Sequence, residues 1–281
     1  MTSRASLGGE PLHKQESMRI RVLSDLHLEF HKNRPDKVWR RLEQELDYFN
    51  GPADPREVLC LCGDIGWPLN KHGRVSKSYS DLLVRFRARW PRTLLVPGNH
   101  EFYSGKKNNN LRVIQALQEI AEQTGVLLLN RDKTVIDGVT FLGATLWSDI
   151  SLPDFQNMND SRWVFGSHPE YLRAFYQDRT WLETSLEGLD GPVVVLTHHL
   201  PTPRLIHKRR FLGKQEANSN TGYATDLEYM IITNDCVKLW LCGHSHESAE
   251  LKIEQATVAL SPLGYPREPK LTSLLNKSFS V

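Results

Sequence analysis

A chain of 281 residues, 40% hydrophobic and 24% charged, is long enough for one large α/β domain or two small ones and falls in the ordinary globular range. Its formal net charge of +2 excludes a whole-chain electrostatic demand for nucleic acid or membrane, so any basic recognition must be local. No stretch is long and apolar enough to cross a bilayer as a helix, and four cysteines are too few for a disulfide scaffold.

Residues 1–17 are polar, with neither an apolar core segment nor a cleavage pattern, so they do not read as a secretory signal. They are expected to form a flexible tail before a single domain over 18–281. Ile20, Val22 and Leu23 make a short buried-strand run that leads straight into Ser24-Asp25-Leu26-His27. In extended geometry Asp25 and His27 leave the same face, which puts a hard oxygen and an imidazole side by side as half of a metal site. Alone, an Asp-x-His pair is more often a capped turn with a surface histidine.

Val38, Leu42, Leu46 and Phe49 lie at helical spacing and predict a helix over Asp36–Phe49, stopped by Asn50-Gly51-Pro52. Glu57–Cys62 is a second strand ending in Gly63-Asp64, and a helix is expected over Tyr79–Trp90. Thr93–Val96 is a third strand, ending in Pro97-Gly98-Asn99-His100-Glu101. Leu111, Ile114, Leu117 and Ile120 mark the next helix. Strands follow at Val126–Leu129, Thr134–Ile136 and Val139–Thr145, the last two joined by Asp137-Gly138 in a tight hairpin. Cys60 and Cys62, two apart on a strand, are expected to pack as small buried hydrophobes, and a reducing, cytoplasmic setting is the default expectation.

The pattern loosens through Trp147–Gly166. Ser167-His168-Pro169-Glu170 then has the form of a capping box opening a helix whose inward face is Leu172, Phe175, Leu182 and Leu186. Val193–Leu196 is a strand ending in Thr197-His198-His199. Residues 201–223, with the basic run His207-Lys208-Arg209-Arg210, are expected to form a mobile surface loop. A short helix at Ala224–Ile232, a strand at Lys238–Leu241 ending in Cys242-Gly243-His244-Ser245-His246, two strands at Glu250–Ile253 and Thr257–Leu260, and a Gly264-Tyr265-Pro266 turn complete the chain.

Five strand-like runs therefore end in residues of metal-ligand type. In an α/β sheet the carboxyl ends of the strands share one edge, so five such endings imply one site.

Asp25-Leu26-His27, Gly63-Asp64, Gly98-Asn99-His100-Glu101, His198 and Gly243-His244-Ser245-His246 resemble, in order, the full motif series of the calcineurin-like metallophosphoesterase superfamily over Met18 to about Leu263. The resemblance implies an α/β fold of two mixed β-sheets packed as a sandwich and flanked by helices. It implies two divalent metal ions, one held by Asp25, His27, Asp64 and His246 and the other by Asp64, Asn99, His198 and His244, with Asp64 bridging. It also implies that His100 is the catalytic histidine near the leaving group. Two ions roughly 3.5–4 Å apart clamp a phosphoryl group and acidify water, and carboxylate, amide and imidazole donors suit Mn, Fe or Zn.

Departures from the superfamily's protein serine/threonine phosphatases narrow the substrate. Their opening glycine after the first histidine is Leu28 here, and Gly63-Asp64 runs into Ile65-Gly66-Trp67. The phosphate-gripping arginine and the histidine-orienting aspartate of that branch are absent, which disfavours a phosphoprotein. His100 excludes the lipid-A-pathway branch, which has arginine there. The expected substrate is a small phosphate mono- or diester, a nucleotide among the candidates. Substrate contacts are expected from His199, from Asn159 and Asp160 beside Arg162, and from Arg209 in the basic run. Two alternatives stay open: a nuclease acting on DNA or RNA, which the lack of a long basic groove disfavours, and a non-catalytic scaffold of the same fold. The oligomeric state is not readable.

Overall fold

The computed structural model describes residues 17–105, 107–206, 220–269 and 272–281. The first sheet is built from β1 (Arg19–Leu23), β2 (Val58–Cys62), β3 (Arg92–Val96), β4 (Leu127–Leu128) and β11 (Phe279–Ser280), in the order β11-β1-β2-β3-β4. The second is built from β5 (Asp132–Ile136), β6 (Val139–Gly143), β7 (Val193–Leu196), β8 (Val237–Cys242), β9 (Ala249–Ile253) and β10 (Ala256–Leu260), in the order β5-β6-β7-β8-β10-β9. Neighbours are parallel except at β11, β5 and β9, which pair antiparallel at the edges. The expected pair of mixed sheets is therefore present.

Strands β2 and β7 read as unbroken apolar runs because both their faces are buried. Ile20, Val22, Val58, Cys60, Cys62, Leu94 and Val96 from the first sheet pack with Phe141, Val194, Leu196, Leu239 and Leu241 from the second, forming the layer between the sheets. The alternate residues, among them Leu23, Leu59, Leu61, Leu95, Val195 and Trp240, belong to a second cluster shared with the helices. Cys60, Cys62 and Cys242 are buried free thiols, as their place in apolar strands requires. No helix among the described residues is long and apolar enough to cross a membrane.

The helices are α1 (Pro35–Glu45), α2 (Lys77–Arg89), α3 (Asn99–Tyr103), α4 (Asn110–Thr124), α5 (Leu152–Asn157), α6 (Asp160–Trp163), α7 (His168–Leu186) and α8 (Glu228–Ile232). Several boundaries differ from the sequence reading for identifiable reasons. Helix α1 ends before Phe49 because Leu46 turns extended, at φ −134° and ψ 108°. On α4, Leu111 points to solvent, 72% exposed, while Val113, Ala116, Leu117 and Ile120 face the core; at 100° per residue Leu111 stands about 180° from Ile120. At α7 the Ser167 side chain makes no capping bond. The Glu170 carboxylate instead accepts from Gly166 N–H at 2.8 Å. The loose stretch 147–166 holds α5 and α6. In the stretch expected to be a mobile loop, Pro203–Leu205 is a turn of 3-10 helix and Leu205, Ile206 and Asn220 are buried; the basic run 207–210 lies outside the described residues.

Leu241 sits fully buried in the layer between the sheets. Leu241→Ala is expected to cost about 2–5 kcal/mol, read as a lower urea midpoint with an unchanged slope. An unchanged midpoint would show that this layer is not close-packed.

Candidate metal centre

The carboxyl ends of β1, β2, β3, β7 and β8 deliver Asp25 and His27, Asp64, Asn99 and His100, His198, and His244 and His246 to one place. Backbone bonds tie neighbouring strand ends within each sheet, Gly243 N–H donating to the His198 carbonyl at 2.9 Å, Asp25 N–H to the Gly63 carbonyl at 3.0 Å and His27 N–H to the Asp64 carbonyl at 2.9 Å, while Ser24 N–H to the Ser261 carbonyl at 3.3 Å and Leu263 N–H to the Ser24 carbonyl at 2.9 Å join the two sheets. The backbone is not extended at these residues. Asp25, His27, Asp64, His244 and His246 all have positive φ, at 53°, 47°, 56°, 71° and 59°, a conformation that costs a non-glycine residue roughly 1–3 kcal/mol and persists where the surroundings over-determine it. Asp25 and His27 thus converge through left-handed turns, and the same-face argument from an extended strand does not apply. Gly63 and Gly98 permit the close approach. A Cβ on Gly98 would lie 2.2 Å from Asp64 Oδ1, and one on Gly63 would lie 2.5 Å from His198 Nδ1.

Two donor clusters result. In one, His27 Nε2 and His246 Nε2 are 2.9 Å apart, His246 Nε2 is 3.3 Å from Asp25 Oδ1, and His27 Nε2 is 3.8 Å from Asp64 Oδ2. In the other, His198 Nε2 lies 3.1 Å from Asn99 Oδ1, 3.2 Å from His244 Nδ1 and 3.4 Å from Asp64 Oδ1. These donor spacings fit a cation: neighbouring ligands about 2.1 Å from one ion and at right angles to each other are about 3 Å apart. Asp64 offers one oxygen to each cluster.

Electrostatics agree. Asp25, Asp64 and His198 are fully or almost fully buried. Burial pushes His198 and His246 down, yet Asp64 holds His198 up to about 9 and Asp25 with Glu268 holds His246 up to about 10. Burial raises Asp64, but the imidazoles of His198 and His100 carry its carboxyl well below the usual range. Burial, first among the causes, holds the other two imidazoles of the clusters, His27 and His244, below the usual range, which favours the neutral form in which a histidine binds a metal.

Partners behind four of these donors fix their orientation, as metal ligands require. His198 Nδ1 donates to the Cys62 carbonyl at 2.8 Å. His246 Nδ1 lies 2.6 Å from Glu268 Oε2, and His27 Nδ1 lies 3.1 Å from Glu29 Oε1. Asn99 Nδ2 donates to Asp160 Oδ1 at 3.0 Å, which leaves Asn99 Oδ1 turned toward His198. Glu101 takes backbone N–H groups of Gly98, Asp64 and Ile65 at 2.7, 2.9 and 2.8 Å, and so ties the ends of β2 and β3 together.

His100 stands in the first turn of α3, not in an extended segment. Its N–H donates to Asp64 Oδ1 at 2.8 Å, and its Nδ1 meets Glu29 Oε1 at 2.9 Å. Glu29 is therefore shared by His27 and His100, and it stands where an orienting carboxylate seemed missing from the sequence. Its only signal there was an acidic residue two beyond His27. Glu268 gave no signal at all, and Tyr265 only that of the Gly264-Tyr265-Pro266 turn.

The expected substrate contacts fare differently. His199 is buried behind His198, its ring 4.3 Å from that of His244 and 5.3 Å from that of Trp147, so it does not face the mouth. Asp160 is fully buried and holds Asn99 and Tyr103, so it does not line an open pocket. Asn159 is exposed, and its carbonyl accepts from Arg162 and Trp163 within α6. Arg209 lies outside the described residues.

Comparison with known proteins decides the family. The profile of calcineurin-like phosphoesterases matches residues 18–248. The chain belongs to the calcineurin-like phosphoesterase family. It is a phosphoric ester hydrolase by that membership. An uncharacterized protein of Acanthamoeba polyphaga mimivirus is 26% identical over 285 aligned positions, covering 89% of this chain and 93% of that one. Among solved structures, a phosphopantetheinyl hydrolase from Mycobacterium tuberculosis superposes with TM-score 0.65 at 16% identity, over 95% of this chain and 96% of that one. A dimetal phosphatase from Danio rerio gives TM-score 0.50 at 12% identity, over 91% and 90%. At such identities the likeness is one of fold.

Asp64→Asn keeps the shape but removes the charge that serves two clusters. Elemental analysis is expected to find one ion or none per chain, against two in the wild type. Two fully occupied sites in that variant would refute the bridging assignment.

Proposed function

We propose that this chain is a dinuclear metal-dependent phosphoesterase that hydrolyses a small or nucleotide-like phosphate mono- or diester. The observation that carries the reading is the pair of donor clusters facing the two oxygens of Asp64, with the His100 imidazole beside His27. Asp25, His27, Asp64 and His246 would hold one ion and Asp64, Asn99, His198 and His244 the other. When bound, two such ions supply Lewis-acid charge to a phosphoryl group and acidify water. The oxygen and nitrogen donors suit Mn, Fe or Zn.

His100 supplies the proton. Burial lowers its affinity for one, but Asp64 and Glu29 more than offset that and raise its pKa above the ordinary imidazole value. With Nδ1 engaged by Glu29, Nε2 is the nitrogen left to meet a leaving oxygen, and an alkoxide leaving group needs that proton. The phosphoprotein reading is not favoured, because the arginine that grips phosphate in that branch has no counterpart in the motif. A nuclease reading is weakened by the near-neutral net charge.

His100→Asn is expected to keep both ions and to lower kcat by about 10²–10⁴ on an alkyl phosphate ester, with a much smaller loss on a nitrophenyl ester, whose leaving group is already stable. Uniform loss on the two esters would assign His100 to charge stabilisation on the phosphoryl oxygens. Loss of an ion would remove it from the chemical step altogether.

A further inference from the structure

Tyr265 lies outside every motif discussed above, yet its hydroxyl sits 3.3 Å from His100 Nε2. Its ring centroid is 4.4 Å from that of His27 and 4.5 Å from that of His246, so it covers two of the proposed ligands from the outer side. The segment that carries it is pinned from several directions. Leu263 N–H and Gly264 N–H donate to the carbonyls of Ser24 and Asp25, both at 2.9 Å. The Arg41 guanidinium donates to the carbonyls of Gly264 and Leu263 at 2.7 and 2.8 Å. Tyr265 N–H donates to Glu268 Oε2 at 3.2 Å, and that same oxygen holds His246 Nδ1. Gly264 takes φ +70°, where a side chain would be strained. The hydroxyl is therefore held in place by the same backbone that presents Asp25.

Geometry gives this hydroxyl a use. His100 Nδ1 is occupied by Glu29, so an oxygen that receives the His100 proton must approach Nε2. The hydroxyl and Nε2 share a hydrogen bond at 3.3 Å; once it is released, both groups can donate to one oxygen placed between them at ordinary hydrogen-bond length, about 2.8 Å from each. We propose that Tyr265 is a further catalytic residue, its hydroxyl donating a hydrogen bond to the leaving-group oxygen while His100 delivers the proton. This rests on the phosphoesterase reading and adds a residue to it. In the step, a water oxygen forms the new P–O bond and releases one proton to solvent. The P–O bond to the leaving group breaks with its electron pair on oxygen, and the Nε2 proton of His100 passes to that oxygen. His100 then regains a proton from solvent. Tyr265 keeps its own proton throughout; its hydrogen bond strengthens as charge builds on the departing oxygen.

Tyr265→Phe keeps the ring against His27 and His246 and removes only the hydroxyl. On an alkyl phosphate ester kcat is expected to fall about 100-fold with KM unchanged, while a nitrophenyl ester loses little and elemental analysis still finds two ions. A binding readout accompanies these rates: orthovanadate, whose apical oxygen stands where the leaving group departs, is expected to bind more weakly to the variant, and inorganic phosphate equally well to both. Equal rate losses on the two esters, or a lost ion, would make Tyr265 merely structural and overturn the proposal. A variant indistinguishable from an active wild type would overturn the role of Tyr265 alone. A wild type, loaded with Mn, that neither binds vanadate nor hydrolyses either ester would overturn the phosphoesterase reading and this proposal with it.

Discussion

A carboxylate almost out of reach of water stands where the two sheets converge, and the site depends on how its charge is balanced. Isolated burial of such a charge costs far more than a domain's net stability can bear, so Asp64 persists only because positive charge and hydrogen bonds surround it. Its Oδ1 accepts from the His100 N–H and faces His198, and its Oδ2 faces His27. Burial pulls one way and the imidazoles the other, and the imidazoles win. Side chains carried by both sheets enclose this charge.

Enclosure has a conformational cost that the rest of the fold sustains. Five of the proposed ligands occupy left-handed backbone, and the strands behind them, β1, β2 and β8, are mostly buried. Glu101 fastens the ends of β2 and β3, Glu268 joins His246 to the Tyr265 segment, and Asp160 turns the Asn99 amide. Strain concentrated at ligands and relieved by a packed surround gives pre-organisation, so little rearrangement is left for binding to drive.

Much of this was legible in the sequence because it is local. Apolar runs such as Val58–Cys62 and Val193–Leu196 announce strands buried on both faces, and each proposed ligand follows its strand within a few residues. What was not legible lies across the chain. Glu29 meets His100 from 71 residues away and Tyr265 meets it from 165, and a two-residue strand such as Phe279–Ser280 has no period to detect. The extended geometry assumed for Asp25-Leu26-His27 failed because left-handed turns leave no compositional mark when the residues are Asp and His rather than Gly. Asp160 was noticed as polar in a loose stretch, but only packing reveals that it serves Asn99 from full burial.

A crystal of the wild-type protein grown with Mn²⁺, and recorded for anomalous scattering at the manganese edge, examines the shared carboxylate directly. Two peaks are expected, one among Asp25, His27 and His246 and one among Asn99, His198 and His244, each within bonding distance of a different oxygen of Asp64. A single peak, or two peaks with Asp64 bound to neither, would contradict the dinuclear centre.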